Sequence, residues 1–343
     1  MKKGKILVTG GCGYIGAHTI VDLVENGFDV VSIDNLSRGK IEMLYGVNEL
    51  LNKEIRNYPI DICDQAALES VFEKEKDIAG IIHFAAYKSV PESVTAPLLY
   101  YNNNLTSLLN ILRCCIQFQI RHFVFSSSCS VYGNAEELPV TESTPLQEPE
   151  SPYAATKVMG ERICADFAKA HPGYQCTLLR YFNPVGAHPS AKIGEMNEQP
   201  ENLVPVITQT AIGKREKMGV FGTDYDTRDG SCIRDYIHVS DIAHAHTLAL
   251  QKSISRNHTE PEVHLYNLGT GQGVTVLELI HSFEKVSGVK LNYELMDRRP
   301  GDVVQVYADR SKSEAELGWI PQYDINEMME TAWRWEQALQ KFI

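Results

Sequence analysis

Short apolar segments rich in β-branched residues alternate with segments of helical period through residues 1–180. The predicted strands are Lys5 to Thr9, Val30 to Ile33, Gly80 to Phe84, His122 to Phe125 and Thr177 to Leu179. Strands that alternate with helices favour a parallel sheet covered by helices on both faces, the doubly wound arrangement. Such sheets bind ligands at the carboxyl ends of their strands. We therefore expect an α/β chain whose site lies at that edge.

The composition changes after Arg180. Residues 183–202 and 222–231 are rich in glycine, proline, asparagine and charged residues, which is typical of loops. The elements predicted for the second half are helices over Asp241 to Leu250, Val276 to Val286 and Ile325 to Leu339, and strands near Val263 to Leu268 and Leu291 to Leu295. A length of 343 residues suits about two domains. We predict one domain over 1–180, to which the chain returns around 233–269, and a smaller α/β substrate domain over 181–343.

The charge balance argues against polyanionic partners. Thirty-two Lys and Arg against 44 Asp and Glu give a formal net charge of −12, so we expect neither nucleic acid nor an anionic membrane surface as a partner. No apolar run approaches the roughly 20 residues of a membrane span. The eight cysteines include no Cys-x-x-Cys pair, which favours reduced thiols over disulfides or a zinc site. These features predict a cytoplasmic protein with local basic sites for anionic ligands and no bound metal.

Three glycines, Gly10, Gly13 and Gly16, lie on the predicted turn between the first strand and the first helix. Glycines at this point of a Rossmann sheet allow a tight turn and a close approach of the backbone to a pyrophosphate. Asp34 ends the second strand, where a carboxylate can accept hydrogen bonds from a ribose 2′-OH and would repel a 2′-phosphate. The pattern favours NAD over NADP. Asp34 as a solvated strand end is the alternative, and Arg38 lies nearby.

Tyr153 is the only one of 16 tyrosines with a lysine four residues later, Lys157. Ser151 and Pro152 are typical of a helix start, which would place both side chains on one face of its first turns. Lowering a phenol pKa from ~10 to ~7 requires about 4 kcal/mol. A lysine ammonium about 4 Å away offers roughly that much at an effective dielectric of ~20. The pair therefore predicts Tyr153 as a general base, and a solvated surface pair is the alternative.

Serines follow the predicted strand His122 to Phe125 at the edge where ligands bind. Ser128 is our candidate for the hydroxyl that reaches the reacting centre beside Tyr153. A strand end that is merely polar is the alternative.

Together these motifs resemble the extended short-chain dehydrogenase/reductase family. The likeness covers almost the whole chain and includes the glycine turn at 10–16, the serines before Val131-Tyr132-Gly133, Ser-Pro-Tyr-x-x-x-Lys, and the segments 83–85, 100–104, 179–190, 234–239, 266–269 and 298–302. The segment 179–190 is the most specific. The resemblance makes 1–180 an NAD-binding Rossmann domain and 181–343 a UDP-sugar domain.

The resemblance also implies site residues by position. For catalysis it implies Tyr153, Lys157 and Ser128. For NAD it implies Gly10, Gly13, Tyr14, Ile15, Gly16, Asp34, Asn35, Asp61, Ile62, Phe84, Ala85, Ala86, Lys88, Asn103, Ser126, Tyr153, Lys157 and Tyr181. For the UDP-sugar it implies Lys88, Ser128, Tyr153, Asn183, Asn202, Leu203, Phe221, Arg234, Arg299, Asp302 and Val306. Arg234 as a structural ion-pair partner of Asp235 or another acid is the alternative.

The activity implied by the resemblance is reversible inversion at C4 of a UDP-hexose. Tyr153 would take the 4-OH proton while C4 gives a hydride to bound NAD, and the 4-keto sugar would turn over before the hydride returns. A homodimer through helices at Leu98 to Phe118 and Pro152 to Ala170 is also implied. Some family members carry a bulky tyrosine at the position of Val306, so we hypothesise that N-acetylated sugars fit as well. The alternative is that Val306 is a strand-core residue.

Three other activities compete. Dehydration by a related enzyme would need Asp-Glu where Cys129-Ser130 stand, so its acid and base are missing. Epimerisation of a UDP-uronic acid or UDP-pentose stays open. An NAD-sensing regulator without catalysis is the third, although such a protein has no need of a complete tyrosine, lysine and serine set.

Overall fold

The computed structural model describes residues 3–197, 199–255, 262–299 and 302–340, so Pro300 and Gly301 of the segment 298–302 lie outside the described residues. The strands are β1 (Lys5–Thr9), β2 (Asp29–Ile33), β3 (Arg56–Tyr58), β4 (Ile78–His83), β5 (His122–Ser128), β6 (Gln175–Tyr181), β7 (Asn183–Val185), β8 (Met218–Phe221), β9 (Ile233–His238), β10 (Glu262–Leu268), β11 (Gly273–Thr275), β12 (Tyr293–Met296) and β13 (Gln305–Val306). The helices are α1 (Tyr14–Glu25), α2 (Ile41–Leu51), α3 (Gln65–Lys74), α4 (Val90–Thr95), α5 (Pro97–Gln117), α6 (Pro152–Ala170), α7 (Leu203–Ala211), α8 (Val239–Ser255), α9 (Val276–Ser287), α10 (Ser311–Leu317) and α11 (Ile325–Leu339), with a 3-10 helix at Cys129–Tyr132.

A seven-stranded sheet with the order β10-β6-β5-β4-β1-β2-β3 organises the chain, and all of its strands run parallel. Along β1, Leu7 packs into the hydrophobic core on one face, whereas Ile6 and Val8 pack into the core on the other. Alternate side chains of a strand point to opposite faces, so this strand is buried on both sides. The predicted doubly wound parallel sheet is confirmed.

The strand order reverses at β1, which pairs with β2 on one side and with β4 on the other. The chain leaves β1 through α1 toward β2 and leaves β4 through α4 and α5 toward β5, so these two connections run in opposite directions along the sheet. This reversal opens a crevice at the carboxyl ends of the two strands, where ligands of such sheets bind.

Strand β5 is longer than its apolar residues predict. Apolar residues predict its end at Phe125, but Ser126, Ser127 and Ser128 continue it and pair with Leu179, Arg180 and Tyr181 of β6. Buried serines can extend a strand when the adjacent strand and a helix supply hydrogen-bond partners. The serines therefore belong to the sheet itself.

The second half of the chain builds smaller sheets. Strand β9 pairs with β7, β11 and β13, and β12 pairs with β8. The chain rejoins the large sheet at β10, which pairs with β6 over seven residues, whereas β9 stays in the smaller sheet. A third hydrophobic core underlies these elements, with α9 and α11 packed together. The division at 180/181 into two domains stays a prediction.

No helix in the described ranges is both long and hydrophobic enough to span a bilayer. All eight cysteines are free, and six of them are buried.

Leu23 of α1 is fully buried between the sheet and its covering helices, whereas Leu295 of β12 is 61% exposed. We predict that Leu23→Ala lowers the free energy of unfolding by about 2–5 kcal/mol, because it leaves a cavity in the core. The matched control Leu295→Ala should change it by less than about 0.5 kcal/mol. Chemical denaturation measures both, and equal effects would contradict this account of the core.

Candidate active site

The glycine turn leads from β1 into α1 at the crevice. Gly10 adopts φ +72°, and a Cβ there would lie 3.0 Å from the Ala85 nitrogen. A Cβ on Gly16 would collide with the Gly10 carbonyl oxygen. Gly13 is the N-cap of α1 and has no side chain to cap the helix, so the first N–H groups of α1 face the crevice. The turn thus has the space and the donors that a pyrophosphate requires.

Asp34 lies directly beside this turn. Its carboxylate is buried and accepts hydrogen bonds from the backbone N–H of Cys12 at 3.0 Å and of Leu36 at 2.9 Å. Burial raises its pKa, and the two N–H groups oppose that rise. Arg38 turns away, since its guanidinium pairs with Glu92 at 2.6 Å and covers the Tyr87 ring. The Asp34 carboxylate is therefore not paired with Arg38 and faces the place where an adenosine ribose would bind.

The remaining predicted cofactor residues lie along the same sheet edge. Asp61 accepts a hydrogen bond from the Cys63 backbone, and the buried Ile62 follows β3. Asn103 donates to Asn104 at 3.0 Å. Asn35 is exposed and accepts from the Ser37 backbone.

The loop after β4 passes close to the glycine turn. The Ala85 backbone N–H donates to Thr9 Oγ1 at 3.2 Å, and the Phe84 ring contacts the His246 ring. Ala86 continues this loop toward Lys88, whose ammonium pairs with Glu195 at 3.0 Å. The small residues therefore let the backbone approach the crevice, as predicted from their size.

Ser151 caps α6 by accepting from the Ala154 N–H, and Pro152 is the first helical residue. The predicted helix start is confirmed. Tyr153 is half-buried and Lys157 is buried on the same face, with the Lys157 Nζ 5.8 Å from the Tyr153 ring centroid. The same Nζ donates to the Ser126 carbonyl at 2.7 Å. The pair is a fixed part of the crevice wall, not a solvated surface pair.

Burial acts on the pKa of both members of this pair. It raises the Tyr153 pKa above its usual value, and the nearby Tyr181 adds to the rise, whereas the Ser128 hydroxyl opposes it. Burial also lowers the Lys157 pKa to about 8. Desolvation thus disfavours the phenolate, and the positive charge of a nicotinamide ring, when bound, would favour it.

The serines of β5 divide by face. Ser126 hydrogen-bonds to the Tyr181 hydroxyl, and Ser128 lies beside Tyr153. Ser127 points the other way and donates to Glu161 of α6. Alternation along the strand therefore leaves Ser126 and Ser128 on the crevice side, which agrees with the choice of Ser128.

The predicted substrate residues gather around β9. Asn183 pairs with Tyr236 in register, and Val306 pairs with Arg234. The Arg234 guanidinium donates to the Ile233 carbonyl at 2.9 Å. The alternative ion pair with Asp235 is not formed, because the Asp235 carboxylate accepts from Thr270, Gly271 and Ala308 instead. Arg234 stays available to an anionic ligand.

The other predicted substrate residues form two groups. Arg299 covers the Phe221 ring at 4.6 Å and makes two hydrogen bonds of 3.2 Å to Asp302. Asn202 caps α7 without a side-chain hydrogen bond, and Leu203 is the first residue of that helix. Tyr14 links α1 to this region through a hydrogen bond to the Gly186 carbonyl, and Ile15 packs against the core. Val306 is buried in the hydrophobic core.

Several residues that support the site were missed. Asn104 hydrogen-bonds to both the N–H and the carbonyl of Tyr87 and to Thr156, and so ties the loop after β4 to α6. Glu195 pairs with Lys88, and Glu161 pairs with Arg180. Only Glu161 carried a signal, since it lies one helical turn beyond Lys157. Among the described residues, no group of three or more His, Cys, Asp and Glu could hold a metal ion.

The chain is similar to known proteins over nearly its full length. The family model described as GDP-mannose 4,6 dehydratase matches residues 7–332. The UDP-glucose 4-epimerase of Bacillus subtilis is 46% identical, with 97% of each chain covered. The solved UDP-glucose 4-epimerase of Stenotrophomonas maltophila, with bound NAD and formylated UDP-arabinopyranose, has a TM-score of 0.95 at 39% identity and covers 99% of this chain and 100% of its own. The UDP-Glc/GlcNAc 4-epimerase of Campylobacter jejuni has a TM-score of 0.84 at 37% identity, covering 97% and 99%.

We predict that Asp34→Asn weakens NAD binding by about ten-fold or more, because the amide loses charge-assisted hydrogen bonds to the turn and to a ribose. The matched control is Asp29→Asn at the other end of β2, where the carboxylate pairs with Lys53 on the surface. Calorimetric titration of cofactor-free protein with NAD measures both. Equal affinity in the Asp34 variant and wild type would show that this carboxylate does not bind the cofactor.

Proposed function

The chain belongs to the family described as GDP-mannose 4,6 dehydratase and to the UDP-glucose 4-epimerases, and from this we propose that it interconverts UDP-glucose and UDP-galactose with bound NAD. The observation that carries the proposal is the set of Tyr153, Lys157 and Ser128 on the crevice wall, across the sheet edge from a glycine turn shaped for a pyrophosphate. A dehydratase would need an acid and a base at Cys129 and Ser130, which these residues do not supply.

NAD, which the glycine turn and Asp34 would hold, would supply the hydride acceptor for C4 of the sugar and the donor for its opposite face, so the cycle has no net redox change. Tyr153 removes the proton of the 4-hydroxyl and gives it back in the second half. Lys157 is held by the Ser126 carbonyl and keeps its positive charge near the phenolate. Ser128 donates a hydrogen bond to the reacting oxygen, which keeps that oxygen in line with Tyr153.

Basic and aromatic side chains on the other wall would hold the UDP. Arg234 and Arg299 supply guanidinium groups for the diphosphate, which a chain of net charge −12 must provide locally. Phe221 beneath Arg299 offers a face for the uracil ring. If most of the binding energy comes from UDP, the hexose stays free to turn between the two half-reactions.

We also propose a homodimer and a cytoplasmic location. Helices α5 and α6 carry exposed apolar side chains at Leu98, Leu109, Ile116 and Met159, which supports the dimer through these helices. The free cysteines are consistent with a reducing compartment. The family resemblance supports both.

We predict that Tyr153→Phe lowers kcat for UDP-galactose at least about 100-fold, because the proton acceptor is lost. Tyr174→Phe, which removes a hydroxyl far from the crevice beside Phe167 and His171, is the control and should keep wild-type activity. The assay separates UDP-glucose from UDP-galactose by chromatography after a timed reaction, so it can be run without added NAD. Turnover by the Tyr153 variant at the wild-type rate would refute the base. Binding of UDP-galactose and NAD by wild type without any turnover would favour the sensor function.

A small residue at Val306 supports a second substrate class, and the Campylobacter jejuni relative is named for both sugars. We predict that wild type also turns over UDP-N-acetylglucosamine, and that Val306→Tyr lowers the kcat/KM of the acetylated sugar relative to that of the plain hexose at least about ten-fold, because a bulky side chain would contact the C2 substituent. Val306 is buried in the core, so the tyrosine also has to displace its neighbours, and the melting temperature of the variant is measured beside its activity. The ratio of kcat/KM for the two substrates decides. Undetectable turnover of the acetylated sugar by wild type, with normal activity on the plain hexose, would contradict the proposal.

A further inference from the structure

A buried ion pair lies behind the catalytic strand and has no part in the mechanism above. Glu161 of α6 accepts two hydrogen bonds from Arg180 of β6, from Nε at 2.8 Å and from Nη2 at 2.6 Å. The Arg180 side chain is 4% exposed and the Glu161 side chain 8% exposed. Burying such a pair is costly unless its geometry is good and the remaining hydrogen-bonding groups are satisfied. A buried pair of this kind contributes little net stability, which directs attention to what its two side chains hold in place.

The pair is the centre of a larger network. Arg180 Nη1 donates to the Tyr132 hydroxyl at 2.9 Å, and that hydroxyl donates to Asn267 Oδ1 at 2.6 Å. Ser127 of β5 donates to Glu161 Oε1. The network therefore joins β5, β6 and the end of β10 to α6, the helix that carries Tyr153 and Lys157.

Ser127 connects this network to the catalytic lysine through one peptide unit. The Ser126 carbonyl and the Ser127 N–H belong to the same rigid plane. Strand pairing with β6 and the hydrogen bond from the Ser127 side chain to Glu161 both hold this plane, and the Ser126 carbonyl accepts from the Lys157 ammonium at 2.7 Å. The orientation of Lys157 therefore depends in part on an anchor that lies on the opposite face of β5.

We propose that Glu161 is a positioning residue of the reaction: by holding Ser127 it fixes the Ser126 carbonyl that sets Lys157 against Tyr153. The inference rests on the proposed function. Glu161 touches neither substrate nor cofactor in this account and acts only through Ser127 and Lys157.

The charges around Lys157 support a second effect of the same carboxylate. Burial lowers the Lys157 pKa to about 8, and Glu161 one turn away opposes that decrease. From the other elements, His83 of β4, the Phe125 ring of β5 at 5.2 Å and Arg180 of β6 face this region. Burial keeps the pKa of His83 far below its usual value, so that ring is neutral. Glu161 is thus the anion that favours the protonated lysine.

The test compares Ser127→Ala and Glu161→Gln with Asp166→Asn, a control on the same helix whose carboxylate is exposed and pairs with Arg162. Ser127→Ala should lower kcat for UDP-galactose about ten-fold, as expected for the loss of one positioning hydrogen bond, with KM within about two-fold. Glu161→Gln keeps an oxygen that can accept from Ser127, so its kcat at the pH optimum should fall less. Glu161→Gln alone should also move the alkaline limb of the kcat profile to lower pH, because Lys157 loses its proton earlier. NAD retained after purification should stay at the wild-type level in all three variants.

A lower melting temperature with wild-type kcat and an unchanged pH profile in both buried variants would overturn the proposal and leave Glu161 a purely structural residue. If Glu161→Gln does not fold because Arg180 is left unpaired, Glu161→Leu/Arg180→Met removes both charges and also the acceptor of Ser127, and should show the kcat loss of about ten-fold. Wild-type kcat in that double variant would also overturn it. If wild type itself has no turnover, the proposed function fails. Titration of Lys157 by NMR of labelled lysine nitrogens then still decides, since an unchanged Lys157 pKa in Glu161→Gln would refute the coupling.

Discussion

The parallel pairing of β1 with β2 on one side and with β4 on the other is the constraint on which the rest of the structure depends. Because of this pairing, the chain leaves the carboxyl ends of β1 and β4 in opposite directions. The crevice that opens between the two connections is where loops from both sides of the sheet meet. The glycine turn, Asp34 and the loop after β4 line this crevice because each directly follows a strand of the sheet. Segments distant in sequence therefore become neighbours, and hydrogen bonds such as Cys12 N–H to Asp34 and Ala85 N–H to Thr9 then join them.

Desolvation sets the chemistry inside that crevice. The same burial raises the Tyr153 pKa and lowers the Lys157 pKa, so it disfavours both charged forms that the reaction needs. Fixed groups offset part of this cost. The Ser126 carbonyl accepts a hydrogen bond from the Lys157 ammonium, and the Glu161 carboxylate lies one helical turn further along α6. Polar groups that were costly to bury are oriented before the substrate arrives, which is the condition under which electrostatic stabilisation is effective.

Local pattern was sufficient for β1, β2, β4, β6 and β10, for the glycine turn and for the start of α6, because each depends on residues close together in the chain. It did not predict the strands β3, β7, β8, β9, β11 and β13, which exist through their partners in other parts of the chain. Strand β5 runs through Ser128 because β6 lies alongside it, and Glu161 meets Arg180 only after that register is set. The effect of burial on the Tyr153 pKa could not be predicted for the same reason: spacing locates a nearby lysine, but only packing determines how much water is excluded.

Two contacts cross from the loop after β4 to the segment that precedes α7. Lys88 pairs with Glu195, and Ser89 donates to Glu201 at 2.8 Å. Both contacts are exposed, so each contributes no more than about 1 kcal/mol. They nevertheless join parts of the chain that are 107 and 112 residues apart in sequence. The loop after β4 can therefore swing away from the segment before α7 only when both contacts break, and the small energy involved makes this boundary easy to open and close.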